Sequence, residues 1–255
     1  MYSLPDIEIR ELRIAHLYPQ QLNIYGDRGN VLALVQRCLW RGWQASVTPL
    51  DLQAPVDPDA YDLYFMGGGQ DAQQWAVAAD LKAIKAEALK QAAANGAVFL
   101  GICGGYQLMG HYYQPHDGPK LPGLSLIDAY TEAGHTRMIG NVLVERPDGT
   151  SIVGFENHSG RTFLGPGVAP LGRVLSGYGN CGEPEQHKRV EGAVVGNLYG
   201  TYLHGSLLPK NPHLADELIA KALKRRYGEI ELLVLDDTLE YAAADAAKAQ
   251  ALQKN

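Results

Sequence analysis

One cysteine in this chain sits where a thiol does chemistry. Cys103 lies in Ala97-Val98-Phe99-Leu100-Gly101-Ile102-Cys103-Gly104-Gly105-Tyr106-Gln107-Leu108-Met109-Gly110, which reads as an apolar buried strand, a cysteine between glycines, and an apolar-patterned segment that starts a helix. A sharp strand-to-helix turn strains the nucleophile's backbone and brings neighbouring chain close, so only small residues fit beside it; Gly101, Gly104 and Gly105 supply them. A thiol at a helix N-terminus feels the positive end of the helix dipole, which favours the thiolate. The Gly104 N–H then points toward the oxygen of an attacked carbonyl, as half of an oxyanion hole. The alternative is a small hydrophobe packed in a glycine-rich turn.

A thiolate needs a base and acid for the leaving amine, and histidine suits that work near neutral pH. Of the eight histidines, His204 is the candidate, directly after the apolar run Ala193 to Leu203 and beside Gly205. His16 and His111 read as structural. His158, in the polar stretch Asn157-His158-Ser159-Gly160-Arg161, reads as facing a partner or standing behind the site.

Five stretches in order carry a resemblance: Tyr25-Gly26-Asp27-Arg28-Gly29-Asn30, Gly67-Gly68-Gly69-Gln70-Asp71, Gly101 to Gly110, Gly154-Phe155-Glu156-Asn157-His158-Ser159-Gly160-Arg161-Thr162, and Tyr202-Leu203-His204-Gly205. The cysteine motif resembles that of the class I, triad-type glutamine amidotransferases, in the branch that includes the cobyric acid synthases. The five together resemble the amidotransferase subunits of the lipid II isoglutaminyl synthases, over about Leu12 to Leu218. The resemblance implies an α/β fold: a single three-layer class I glutamine amidotransferase domain over 1–255, with a mainly parallel central sheet and added antiparallel strands. The core spans about 12–228, and about 236–255 forms a C-terminal helix or tail.

It also implies roles. Cys103 attacks the side-chain carboxamide of L-glutamine, the N–H groups of Gly68 and Gly104 hold the oxyanion, and His204 protonates the departing ammonia. Arg137, in Thr136-Arg137-Met138, is the candidate clamp for the α-carboxylate, since a guanidinium grips both oxygens. Gln107 lies one helical turn past Cys103, and the matching glutamine of the family contacts substrate. The ammonia passes to a separate ATP-dependent, Mur ligase-like subunit in a heterodimer, which amidates the D-glutamate α-carboxylate of the lipid II peptide stem. ATP and magnesium belong to that partner; this chain is expected to carry no metal or cofactor, since no Gly-Lys-Ser/Thr or G-x-G-x-x-G pattern follows the triple glycine. Three alternatives remain open: an amidotransferase for another carboxylate such as a corrinoid, a stand-alone γ-glutamyl cysteine hydrolase, and a catalytically silent binding subunit. A fused ATPase segment, as in a whole cobyric acid synthase, does not fit into 255 residues.

The third triad member is not evident. Many class I amidotransferases place a glutamate two residues past the catalytic histidine, where it orients the ring. Here the text is His204-Gly205-Ser206. Three solutions stand: a distant acid folds back, with Glu156 the foremost, the site works as a Cys-His dyad, or the partner lends a carboxylate, which is the favoured expectation.

The surrounding pattern agrees with such a site. Leu12 to Tyr18 alternates as a strand, Asn30 is placed to cap a helix from Val31 to Trp43 that buries Cys38, and strands follow at Gln44 to Leu50 and Tyr61 to Met66. Asp80 to Ala94 is a helix with Leu81, Ile84, Ala88 and Leu89 inward, ended by Asn95-Gly96. Strand, elbow and helix then run through Tyr112. Residues 115–134 read as loop, Met138 to Glu145 and Ile152 to Phe155 as a hairpin about Pro147-Asp148-Gly149, and Leu171 to Leu175 and Ala193 to Leu203 as strands. Helices close the chain at Asn211 to Arg226 and Asp237 to Gln253.

The bulk properties narrow the partners. A net charge of −6 argues against a nucleic-acid or anionic-membrane surface, and three scattered cysteines, Cys38, Cys103 and Cys181, form neither a disulfide framework nor a paired zinc motif. Met1 to Arg13 carries no basic leader with an apolar core, and no run approaches the roughly 18 apolar residues of a membrane span. A cytoplasmic enzyme is the expectation.

Overall fold

The computed structural model describes residues 10–253; the reading of Met1 to Arg13 lies largely outside them, as do the last two residues of the expected C-terminal helix or tail. In chain order the elements are β1 (Glu11–Leu17), α1 (Arg28–Trp40), β2 (Gln44–Leu50), β3 (Leu63–Met66), α2 (Asp71–Asp80), α3 (Ala86–Ala94), β4 (Val98–Ile102), α4 (Gly104–Met109) and β5 (Tyr112–Gln114). They continue with β6 (Leu121–Pro122), β7 (Ala129–Glu145), β8 (Ser151–Leu164), β9 (Gly172–Ser176), β10 (Val190–Glu191), β11 (Ala193–Val195), β12 (Leu198–Thr201), α5 (Pro212–Tyr227) and α6 (Thr238–Gln253).

The first sheet has the order β11-β12-β4-β3-β1-β2, parallel throughout except for the edge pair β11 and β12. Its central strands β3 and β4 are buried at every residue, as continuous apolar runs between helical layers should be. Most of the antiparallel strands belong to a second, mixed sheet, β10-β9-β7-β5-β6 with β8 on β7, in which only β5 and β7 pair parallel. One hydrophobic cluster runs from Leu12 and Ile14 of β1 through Phe65 and Leu100 to Val142 and Ile152 of the second sheet. Burial at about 25 cal/mol per Å² makes that continuity the main force holding the sheets together. The two also meet by hydrogen bonds beside the site: His204 N donates to Phe155 O (2.7 Å), and Phe155 N to His204 O (3.3 Å).

Several local expectations change. Helix α1 begins at Arg28, so Asn30 lies within its first turn and its Oδ1 accepts from Leu208 N (2.9 Å) instead of capping. The Asp80 to Ala94 helix starts earlier, at Asp71, and passes through a π-helical turn at Leu81–Lys85. That wider turn rotates the inward face: Ile84 is exposed, and Lys85 is buried on the Asp80 carboxylate with its Nζ also donating to Asp51 O (3.0 Å). The elbow helix stops at Met109, and Tyr112 begins β5. The hairpin of β7 and β8 turns where expected but is longer, and Ala193 to Leu203 folds back on itself as β11 and β12.

Candidate active site

The reactive groups gather at the carboxyl ends of the parallel strands, where α/β sheets bind their ligands. Cys103 follows β4 at φ 50° and ψ −104°, a left-handed region that a side chain enters only under constraint, at a cost of order 1–3 kcal/mol. The constraint is local. Gly105 N donates to Gly67 O (3.1 Å), and a Cβ on Gly105 would stand 2.2 Å from Met66 O, so the turn closes only on glycine. On the neighbouring strand, Cys103 N donates to Thr201 O (2.8 Å), which brings the segment after β12 alongside. His204 lies on that segment, fully buried.

The acid beside His204 comes from this chain. Asp27, buried at the start of α1, stands with Oδ1 at 3.1 Å and Oδ2 at 3.2 Å from His204 Nδ1. This corrects two expectations. Glu156 turns away and accepts from the N–H groups of Tyr178 (2.8 Å) and Gly179 (2.9 Å), fixing a loop of the second sheet. No borrowed carboxylate is needed at Nδ1, because Asp27 already occupies it. Ser206, at the position where a glutamate was sought, instead donates to Gly26 O (2.8 Å) and so ties the histidine segment to the loop that carries the acid.

Burial opposes charge on the His204 ring, but the neighbouring Cys103 sulfur and Asp27 carboxylate outweigh it and raise the pKa from 6.5 to about 10. Among the described residues His204 Nε2 has no nitrogen or oxygen partner, and Nδ1 faces Asp27, so the imidazolium proton on the far side is available to the sulfur. The other cysteines differ: burial pushes the Cys38 thiol up to about 12 and Cys181 to about 11, away from reactivity.

The triple glycine has a different job from the one expected at Gly68. Gly68 N donates to Asp27 Oδ2 (2.8 Å), and a Cβ there would stand 2.7 Å from His204 Cε1 and 3.2 Å from Asp27 Oδ2. Gly68 is therefore the seat of the His–Asp pair and not an oxyanion donor. The next N–H, of Gly69, has no acceptor among the described residues, and it lies 3.2 Å from where a Gly104 Cβ would be. Among the described residues the Gly104 N–H has no acceptor either, so Gly69 and Gly104 are a pair of unengaged N–H groups beside Cys103.

A cavity of about 390 Å³ opens onto the thiol, and Gly69, Gln107, Arg137 and His158 are among its walls. Arg137 is exposed and sits in a bulge where the β7–β8 register shifts between Ala133 and Met138. Its Nε donates to Asn157 Oδ1 (2.6 Å). Gln107 is buried and lines the cavity; its Oε1 accepts from Gln74 (3.2 Å) and its Nε2 donates to Tyr202 Oη (3.2 Å), which leaves each atom one further valence. His158 stacks on the Tyr202 ring at 3.6 Å between centroids, with Nδ1 on Gly160 O (2.8 Å), and forms part of the wall behind Gln107. His16, its pKa lowered to about 4 by burial, and His111, held between Ser125 and Asp128, lie in structural settings.

Of the residues singled out in the sequence, Cys103, Arg137 and Gln107 line one cavity and His204 is buried beside Cys103, whereas Asp27 and Gly69 were missed. The available signal was Tyr25-Gly26-Asp27: an acid at the end of the loop that joins the first strand to the first helix, on the carboxyl side of the same parallel sheet as the elbow.

A strained cysteine at a strand-to-helix elbow, an imidazole between it and a buried carboxylate, and two free N–H groups define an α/β cysteine amidohydrolase site. Residues 13–212 match the CobB/CobQ-like glutamine amidotransferase domain, and the chain belongs to that family. It is 40% identical over 235 residues to the "Lipid II isoglutaminyl synthase (glutamine-hydrolyzing) subunit GatD" of Staphylococcus aureus, covering 92% of this chain and 94% of that protein. The subunit of the same name from Streptococcus pneumoniae is 40% identical over 238 residues, at 92% and 90% coverage. A cobyric acid synthase of Pelotomaculum thermopropionicum is 35% identical over 136 residues, 47% of this chain but 25% of the synthase. The fold matches a chain in the structure of PurLQS from Thermotoga maritima with a TM-score of 0.54, at 18% identity and 83% and 95% coverage. Among the described residues no helix is long and apolar enough to cross a membrane.

Proposed function

We propose that this chain is the glutaminase subunit of a two-subunit synthase that amidates the D-glutamate α-carboxylate of the lipid II peptide stem. Glutamine binds with its α-carboxylate on Arg137 and its side-chain amide against Cys103, with Gln107 at the wall of the cavity. The Cys103 thiolate attacks the carboxamide carbon, and the developing oxyanion is held by the N–H groups of Gly69 and Gly104. His204, charged at rest, gives its proton to the departing ammonia as the γ-glutamyl thioester forms. The neutral ring then takes a proton from water, which hydrolyses the thioester to glutamate. Asp27 holds the ring in the tautomer that keeps Nε2 toward the sulfur and stabilises the imidazolium. The acceptor chemistry, with ATP and magnesium, belongs to a Mur ligase-like partner in the same cytoplasmic compartment.

The observation that carries the reading is the Cys103–His204–Asp27 arrangement opening onto a cavity that also presents Arg137. The 40% identity to subunits with that name over nine-tenths of the chain supports the choice of acceptor. The test is ammonia release from L-glutamine by the chain, and glutamine-dependent amidation of a lipid II peptide when the co-purifying ligase and MgATP are added. Glutamine hydrolysis with no amidation of that peptide by the assembled pair would move the acceptor elsewhere; no hydrolysis in the assembled pair would remove the mechanism.

A further inference from the structure

A short relay crosses the mouth of the cavity. Arg137 Nε donates to Asn157 Oδ1 (2.6 Å), and Asn157 Nδ2 donates to Tyr25 Oη (2.7 Å). A guanidinium has donors only, so Arg137 decides which way round the Asn157 amide sits: oxygen toward Arg137, nitrogen toward Tyr25. The Tyr25 oxygen therefore accepts, and its own hydrogen is left to give. It has no acceptor among the described residues, and Tyr25 lines the same cavity as Cys103 and Arg137.

The backbone presents this side chain deliberately. Tyr25 has φ 52°, and the Tyr25-Gly26 turn sends Asp27 inward to His204 while the Tyr25 ring lies over the imidazole, edge-on at 5.0 Å and 68°. A phenylalanine would give the same ring contact. The hydroxyl is what phenylalanine lacks, and its free hydrogen is beside the cation that the proposed function assigns to an α-carboxylate.

We propose that the Tyr25 hydroxyl is a second donor to the substrate α-carboxylate, acting beside the Arg137 guanidinium. Selection of a free α-amino-acid carboxylate is then shared between the hairpin that carries Arg137 and the loop that carries Asp27. This rests on the glutaminase reading above.

The experiment is a double-mutant cycle on the full chain with its ligase partner, reading KM and kcat for ammonia release. Tyr25→Phe keeps the ring on His204 and is expected to raise the L-glutamine KM roughly tenfold, with kcat within about threefold, as loss of a hydrogen bond to a charged group requires. In an Arg137→Lys background, where a donor-only cation still holds the Asn157 amide in the same orientation, the same change is expected to weaken glutamine further. With 4-aminobutanamide, which is glutamine without its α-carboxylate, the two proteins should have the same kcat/KM. An unchanged KM in Tyr25→Phe overturns the proposal. So does the absence of any further loss in the Arg137→Lys background, which would make Tyr25 only a prop for the cation at 137, and so does an equal penalty with 4-aminobutanamide. A wild-type pair that releases no ammonia from glutamine removes the glutaminase reading itself and this proposal with it, an outcome separate from the other three.

Discussion

The two sheets divide the work, and they do so by contrasting means. The parallel sheet supplies Cys103, His204 and Asp27, each buried at a strand end or helix start and each held by backbone geometry or by a partner inside the protein. The second, mixed sheet supplies Arg137 and Asn157 from a long antiparallel hairpin, loosened by a bulge. Reacting groups need a dry, over-determined setting, because charge on an imidazole and a thiolate is worth most where water is excluded and nothing has to reorganise. A group that must grip an incoming zwitterion needs the reverse. Its donors must remain solvated until the ligand arrives, and a bulge at the sheet surface provides that. His204 is where the arrangements join, with its ring on Asp27 of one side and its backbone paired with Phe155 of the other.

That contrast is open to graded tests. The largest effect is expected from Cys103→Ala, which should abolish ammonia release while the circular dichroism and melting temperature remain close to wild type, since the elbow accepts a small side chain. Glutaminase activity near wild type would break the whole assignment. Next, Asp27→Asn should reduce kcat by roughly 10²- to 10⁴-fold, the range seen when the acid of a catalytic triad is neutralised. It should also alter the pH profile. The charged ring is the proton donor, and its pKa is raised from 6.5 to about 10, so kcat/KM in the wild type is lost as pH rises through that upper value. Removing the Asp27 charge lowers the ring's pKa, and the alkaline limb should move to lower pH. A limb that does not move in Asp27→Asn would separate the acid from the ring.

Arg137→Ala comes third, with KM for glutamine up roughly 10- to 100-fold and a smaller change in kcat. Exogenous ammonium supplied to the assembled synthase should restore acceptor amidation in this variant and in Cys103→Ala, since both lesions precede ammonia release. A fall in kcat at unchanged KM would place Arg137 with the reacting groups and erase the division between the sheets. The smallest effect is expected from Cys38→Ala. This residue packs in α1 with its thiol held protonated by burial, so steady-state kinetics should match wild type while stability falls by about 1 kcal/mol.

Whatever depends on neighbours along the chain could be read before folding. The apolar run into Gly-Cys-Gly-Gly identifies the elbow, because strand burial, the tight turn and the helix start are all local requirements. The spacing of Leu214, Leu218, Ile219, Ala222 and Leu223 marks the buried face of α5 in the same way, and all five are buried. Partners chosen across the fold were not available to such reading. Asp27 and His204 are 177 residues apart, and nothing in either neighbourhood states that β1 and β12 end at the same edge of one sheet. For the same reason the triple glycine after β3 was legible as a close approach, while the identity of what approaches was not: Gly68 is filled by the His204–Asp27 pair, leaving Gly69 beside Cys103. Lys85 makes the point away from the site, since one π-helical turn shifts which side chain faces inward and buries a lysine where the 3.6-residue period placed Ile84. Local sequence sets conformational preference and the face each element buries. Which buried hydrogen-bonding group meets which is decided only when the sheets close, because an unpaired polar atom costs free energy wherever it ends up and the packed fold alone determines what stands within reach of it.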